Sequence, residues 1–125
     1  NINEFIAKKK TINLFYKKYI NNNTFKFYIN ENPNYNKFFS INWLNILRFD
    51  NKKITSQKII DNLKKHNIES RYVWLPNHLQ KPYLNNQKFH IKHAIQLFSS
   101  SVCLPSSYSL NKSKIIKIAN ILNKL

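Results

Sequence analysis

The chain has 125 residues, 42% of them hydrophobic, with nine Phe, seven Tyr and two Trp. That is one domain or a piece of one, large enough to bury a core, and no apolar run approaches the ~20 residues that span a bilayer. The net charge of +16 suits nucleic acid, but the lysines are scattered along the chain, and an AT-rich genome would supply Asn, Lys, Ile, Tyr and Phe without any binding function.

Residues 2–20 have a helical pattern. Ile2, Phe5, Ile6, Ile12, Phe15, Tyr16, Tyr19 and Ile20 recur at three- and four-residue steps, while Lys8, Lys9, Lys10 and Lys17 fall mostly on the other face. Asn21 to Asn23 stop the helix. "TFKFYI" is a short strand, and "NENPNYNK" is a polar loop of turn residues. "FFSINWLNILRF", Phe38 to Phe49, has apolar residues on both parities and is expected to be a strand covered at least partly on both faces. Thr55 caps a second helix with Ile59, Ile60 and Leu63 inward. The chain leaves that helix through Asn67, standing where a Gly would usually be, and enters another strand. A Pro-containing stretch follows. Ile91, Ala94, Ile95 and Phe98 mark a third helix, and "SSSVCLPSS" is a connector around a short extended piece. Asn111 caps the last helix, whose stripe is Ile115, Ile118, Ala119 and Leu122. These elements define an α+β fold, a small and at least partly antiparallel sheet packed with helices, in one domain over residues 1–125.

The chemistry offered is sparse. His90 and His93 lie three apart, but the only cysteine is distant and no carboxylate completes a metal set. The chain contains no Gly, so it has neither a G-x-S-x-G elbow nor a Gly-rich phosphate loop. Five carboxylates leave little for general acid–base pairing. The single Cys103 cannot form an internal disulfide, which together with the lack of a readable signal peptide suits a cytoplasmic protein. Among 21 basic residues only Arg48 and Arg71 are arginines, whose planar guanidinium suits carboxylate and phosphate. No catalytic or metal-binding residue is assigned.

The less common residues crowd into "ESRYVWLPNHLQKPY", Glu69 to Tyr83. It follows a helix ending in "LKKHNI" and precedes "AIQLFSSSVCLPSS" and "SLNKSKIIKIANIL". In this order the segments resemble the C-terminal small domain of the DegT/DnrJ/EryC/StrS-type sugar aminotransferases, which are pyridoxal-phosphate enzymes. The resemblance covers nearly the whole chain. It implies that the His-bearing loop faces a nucleotide-linked keto-sugar. His78 would then be a polar contact to the substrate or its diphosphate. Arg71 would serve the same anion or orient the loop, Trp74 would offer a stackable apolar face, and Gln80 is a further substrate-binding candidate. It also implies pyridoxal phosphate as cofactor, glutamate as the usual amino donor, and a homodimer with active sites at the subunit interface. The family's cofactor lysine lies in a large domain, and no such motif is present here. The chain is therefore expected to be a fragment that is inactive alone. The alternatives are a small basic nucleic-acid-binding module, which would need its lysines on one face among exposed aromatics, and a non-catalytic remnant that only binds protein.

Overall fold

The computed structural model describes residues 1–21, 40–50 and 53–125. The strand expected at Thr24 to Ile29 and the loop at Asn30 to Lys37 lie outside the described residues, as do Phe38 and Phe39. Among the described residues four α-helices and three strands follow in the order α1 (Ile2–Tyr19), β1 (Asn45–Arg48), α2 (Ser56–Lys65), β2 (Arg71–Tyr72), α3 (Lys92–Ser99), β3 (Ser101–Leu104) and α4 (Lys112–Leu122). Two 3-10 turns, Asn77–Leu79 and Lys81–Tyr83, lie between β2 and α3.

The sheet runs β1-β3-β2 and is antiparallel throughout. Its central strand is β3, which the sequence suggested only as a short extended piece. All four of its residues are buried. Asn45 pairs with Leu104 and Leu47 with Val102, so these four side chains share one face. Leu47, Val102 and Leu104 join Ile12, Tyr16, Ile59, Leu63, Ile115, Ile118 and Leu122 in a single core. Each such aliphatic side chain contributes about 1.5–3 kcal/mol on burial.

The helix boundaries follow their caps. The Thr55 side chain accepts from Lys58 N at 3.2 Å, and Asn111 Oδ1 accepts from Lys114 N at 3.0 Å. At the end of α2 the Ile68 N–H reaches Leu63 O and the Asn67 N–H reaches Lys64 O. Asn67 has φ 58, the left-handed conformation that this closing motif demands and that Asn tolerates better than other non-Gly residues. Asn67 thus fills the place where a Gly is usual.

Two expectations need correction. The apolar face of α1 does not bury its first turn. Ile2 is 70% and Phe5 44% exposed, and Lys9 is buried in line with Ile12, Asn13 and Tyr16. The expected strand from Phe38 shrinks to Asn45–Arg48 among its described residues. Asn42 takes φ 52, held by Ser40 Oγ accepting from Asn42 N at 3.1 Å. That left-handed residue breaks the extended run and leaves Ile41 and Trp43 exposed.

Candidate functional site

A cleft of about 640 Å³ opens beside the start of β2, at the Cys103–Leu104 end of β3. Its walls come from α1 (Lys9), the residues before β1 (Trp43, Leu44), the α2–β2 connection, the β3–α4 connection, and the first two turns of α4 (Lys114, Lys117, Ile118). Among the described residues it carries four cations, Lys9, Arg71, Lys114 and Lys117, against one carboxylate, Glu69. Cys103 and Ser106 also line it.

Lys9 organises one side. It is 7% exposed, and its Nζ donates to Trp43 O at 3.2 Å and to Ser106 O. Its ammonium also lies 5.6 Å from the Phe5 ring centroid. Burial lowers its pKa below the ordinary lysine value. A buried polar relay runs beside it. Asn13 Nδ2 donates to Asn45 Oδ1 at 3.0 Å, and Asn45 donates from its own amide groups to Ser106 Oγ at 2.7 and 2.9 Å. Tyr16 donates to Pro105 O at 3.0 Å, and its buried phenol has a raised pKa. The segment Leu104 to Ser107 is thus fixed by α1 and β1 together. Burial also raises the Cys103 thiol pKa, opposed by the Arg71 guanidinium.

The four residues singled out in the sequence divide between two places. Arg71 lines the cleft, where its Nη2 and Nε donate to Glu69 Oε1 at 2.7 and 3.0 Å. Both side chains are exposed, so the ion pair contributes little stability, about 0–1 kcal/mol. Trp74 is 61% exposed and meets Trp43, 63% exposed, with ring centroids 6.0 Å apart. His78 and Gln80 do not line the cleft. His78 lies in the first 3-10 turn, and its Nε2 is buried without a hydrogen-bond partner. Gln80 braces that turn, donating from Nε2 to Leu75 O at 2.9 Å and Asn77 Oδ1 at 3.2 Å. His90 and His93 are exposed, and among the described residues no group of three or more His, Cys, Asp or Glu could hold a metal.

Sequence reasoning missed Lys9, Trp43, Ser106, Lys114 and Lys117. Only Lys9 left a usable signal, since its spacing to Ile12, Asn13 and Tyr16 puts it on the buried stripe. The others meet through tertiary pairing that no local pattern encodes.

A second surface is defined by what it does not bury. From Glu69 to Ser100 no residue is buried, although the segment contains Trp74, Leu75, Tyr83, Leu84, Phe89, Ile95 and Leu97. The two 3-10 turns and α3 hold its shape with their apolar side chains turned outward. Apolar exposure on this scale marks an interaction surface.

The described residues thus form a small antiparallel sheet backed by helices, with an apolar surface left open. The model of the DegT/DnrJ/EryC1/StrS aminotransferase family matches residues 1–123, and the chain belongs to that family. Solved structures share the fold. The aminotransferase TlmJ from Streptoalloteichus hindustanus is 14% identical with a TM-score of 0.79, covering 95% of this chain and 31% of its own. DesI, solved in the presence of its TDP-sugar product, is 16% identical with a TM-score of 0.80, covering 95% of this chain and 30% of its own. Helicobacter pylori PseC, an aminotransferase involved in pseudoaminic acid biosynthesis, is 22% identical with a TM-score of 0.78, covering 95% and 32%. The chain therefore spans about a third of the length of these proteins. No curated protein matches it.

A Bacillus cereus protein of this fold is described as PLP-dependent. The residues described here do not by themselves fit pyridoxal phosphate. The buried Lys9 has its ammonium committed to two carbonyls, and the one carboxylate of the cleft is tied to Arg71.

Proposed function

We propose that this chain is the C-terminal small domain of a pyridoxal-phosphate-dependent aminotransferase acting on a nucleotide-linked keto-sugar. The observation that carries the proposal is the segment from Glu69 to Ser100, in which no residue is fully buried although many are apolar. A domain that contributes a face to a larger enzyme has that property, and the family match supplies the enzyme class. The large domain holds the cofactor, which supplies an electron sink for moving the amino group. Glutamate is the amino donor, and the intact enzyme is a homodimer. In this reading the enzyme serves amino-sugar or cell-surface polysaccharide biosynthesis in the cytoplasm. Unassisted, the 125-residue chain is inactive.

The chain's own residues bind and orient. Pro76 and Pro82 stiffen the loop on either side of His78 without any Gly. Gln80 ties the turn to Leu75 and Asn77. His78 Nε2, unpartnered within the chain, is the polar contact to the sugar or its diphosphate. Trp74 walls the substrate, and Arg71 is held in the cleft by Glu69. A fixed imidazole places one hydrogen bond on the substrate at low entropic cost.

The test is His78→Ala in the intact enzyme. Losing one hydrogen bond to a charged group lowers kcat/KM for the nucleotide-sugar about ten- to a hundredfold. Cofactor absorbance and affinity stay at the wild-type level. An unchanged kcat/KM would leave His78 with a purely structural role.

A further inference from the structure

Trp43 and Trp74 approach each other from opposite edges of the sheet. Trp43 precedes β1 and Trp74 follows β2, and β3 lies between those strands. The register sets Trp43 beyond the Leu104 end of β3 and Trp74 beyond its Val102 end. The chain after Tyr72 therefore folds back to bring the two indoles to 6.0 Å, tilted by 39°. Both remain more than half exposed. Trp43 is held from behind, with φ 52 at Asn42 turning the chain and its own carbonyl accepting from Lys9.

We propose that the Trp43–Trp74 pair is a stacking platform for the heteroaromatic base of a nucleoside diphosphate, whose phosphates lie in the adjoining cleft against Lys114 and Lys117. Three features support this. An exposed indole offers a π-face that any base can use. Trp43 lines the cleft, so a base on the pair is contiguous with the cations inside it. Lys114 and Lys117 stand on the first two turns of α4, where the positive end of the helix adds to their charge. Neither lysine is in a salt bridge among the described residues. The inference deepens the sugar-aminotransferase reading, on which the choice of a nucleotide-linked ligand rests, and it makes Trp43 a binding residue for the base.

The chain contains no tryptophan besides these two, so its emission reports the platform directly. The purified 125-residue chain is titrated with dTDP and UDP, with thymidine as a base-only control and pyrophosphate as a charge-only control. Saturable quenching by either nucleotide at up to about 5 mM, an affinity range open to a partial site, is expected. Trp43→Leu weakens binding about tenfold, read by calorimetry, and Trp43→Tyr restores most of it. Lys114→Gln with Lys117→Gln weakens nucleotide binding and leaves thymidine unaffected. Absence of saturable quenching overturns the proposal, and so does equal affinity for pyrophosphate and dTDP. Much tighter binding of a short oligothymidylate than of dTDP also overturns it, in favour of single-stranded nucleic acid. Two outcomes separate this proposal from its parent. An intact enzyme that aminates a nucleotide-sugar with unchanged KM in Trp43→Leu overturns the platform alone. A chain that binds dTDP while the intact enzyme aminates no nucleotide-sugar overturns the parent alone.

Discussion

Asn13 donates from Nδ2 to Asn45 Oδ1 at 3.0 Å with both side chains buried, and Asn45 passes the connection to Ser106. Two elements far apart in sequence, α1 and β1, thereby hold the connection that lines the cleft. A buried amide left without a partner costs about 1–3 kcal/mol. Asn45→Leu strands the Asn13 amide, while Ser106 Oγ loses the side-chain donor and keeps the Asn45 main-chain N–H. It is expected to cost roughly 1–3 kcal/mol in urea unfolding, about one such penalty. Pairing it with Asn13→Leu recovers part of that loss, because the second change removes the orphaned group. Strict additivity of the two losses would show that the hydrogen bond couples nothing.

Asn67 gives a second test. Its φ of 58 costs a β-carbon about 1–2 kcal/mol in most residues. Asn67→Val is expected to destabilise by about that amount, and Asn67→Gly to change stability by less than about 1 kcal/mol. Chemical denaturation of the three proteins at one pH decides it. Equal midpoints for Val and Gly would mean that the end of α2 does not need the left-handed residue.

Much of the fold was legible because it is locally encoded. The stripe Ile115, Ile118, Ala119 and Leu122 is the buried face of α4, and Asn67, Thr55 and Asn111 end or start helices by their own chemistry. The sheet was harder to read. β3 is four residues long and buried on both faces, so it has no alternation to distinguish it from a loop. The site was only half legible. Arg71 and Trp74 stood out by rarity, but Trp43 reaches Trp74 only through a fold-back that sequence spacing does not reveal. In the helical pattern Lys9 groups with Lys8, Lys10 and Lys17, which fall mostly on the face opposite the apolar residues. Its position on the stripe outweighed its type, because two carbonyls were available to receive the ammonium.

Burial contrasts within one residue type give a third prediction. Leu63 is fully buried and Leu97 is 46% exposed on α3. Leu63→Ala removes packed methyls and leaves a cavity, costing about 2–5 kcal/mol. Leu97→Ala in the isolated chain is expected to cost less than about 0.5 kcal/mol, as for other surface changes. A large loss at Leu97, measured by urea unfolding, would mean that α3 is packed more firmly within the chain than its exposure implies.

Alkaline pH should weaken the fold. Tyr16 and Cys103 both have raised pKa values from burial, while the unfolded chain ionises near their ordinary values of 10.0 and 9.0. Above those values the folded state retains more protons than the unfolded one, so stability falls as pH rises. Lys9 acts in the opposite sense, because its lowered pKa makes the folded state the one that holds fewer protons. Tyr16→Phe is expected to lose about 1 kcal/mol at neutral pH, for the bond to Pro105 O. It should then decline less than the parent above about pH 9. Unfolding midpoints across that range test both signs, and parallel curves for the two proteins would exclude Tyr16 as a source of the slope.

The lysines allow a last test on the chain alone. If the cofactor belongs to the large domain, no lysine here should react with pyridoxal phosphate as a specific site. Lys9 is the one to watch, since a lysine with a lowered pKa is ordinarily the better nucleophile. Its position works against reaction. The nitrogen is buried, and two of its three protons are held by Trp43 O and Ser106 O, so an aldehyde reaches it only if those hydrogen bonds break and the side chain moves out. Each such bond from a charged donor contributes about 1.5–3 kcal/mol, which outweighs a modest gain in the unprotonated fraction. The other described lysines are wholly or partly exposed and resemble one another chemically. Treatment of the purified chain with pyridoxal phosphate, borohydride reduction and peptide mass spectrometry should therefore show low labelling spread over many surface lysines. Lys9 should be among the least modified. In Asn45→Ala, where the Ser106 segment loosens, labelling of Lys9 should rise relative to the others. Stoichiometric labelling of one lysine in the unaltered chain would mean that this domain holds the cofactor itself.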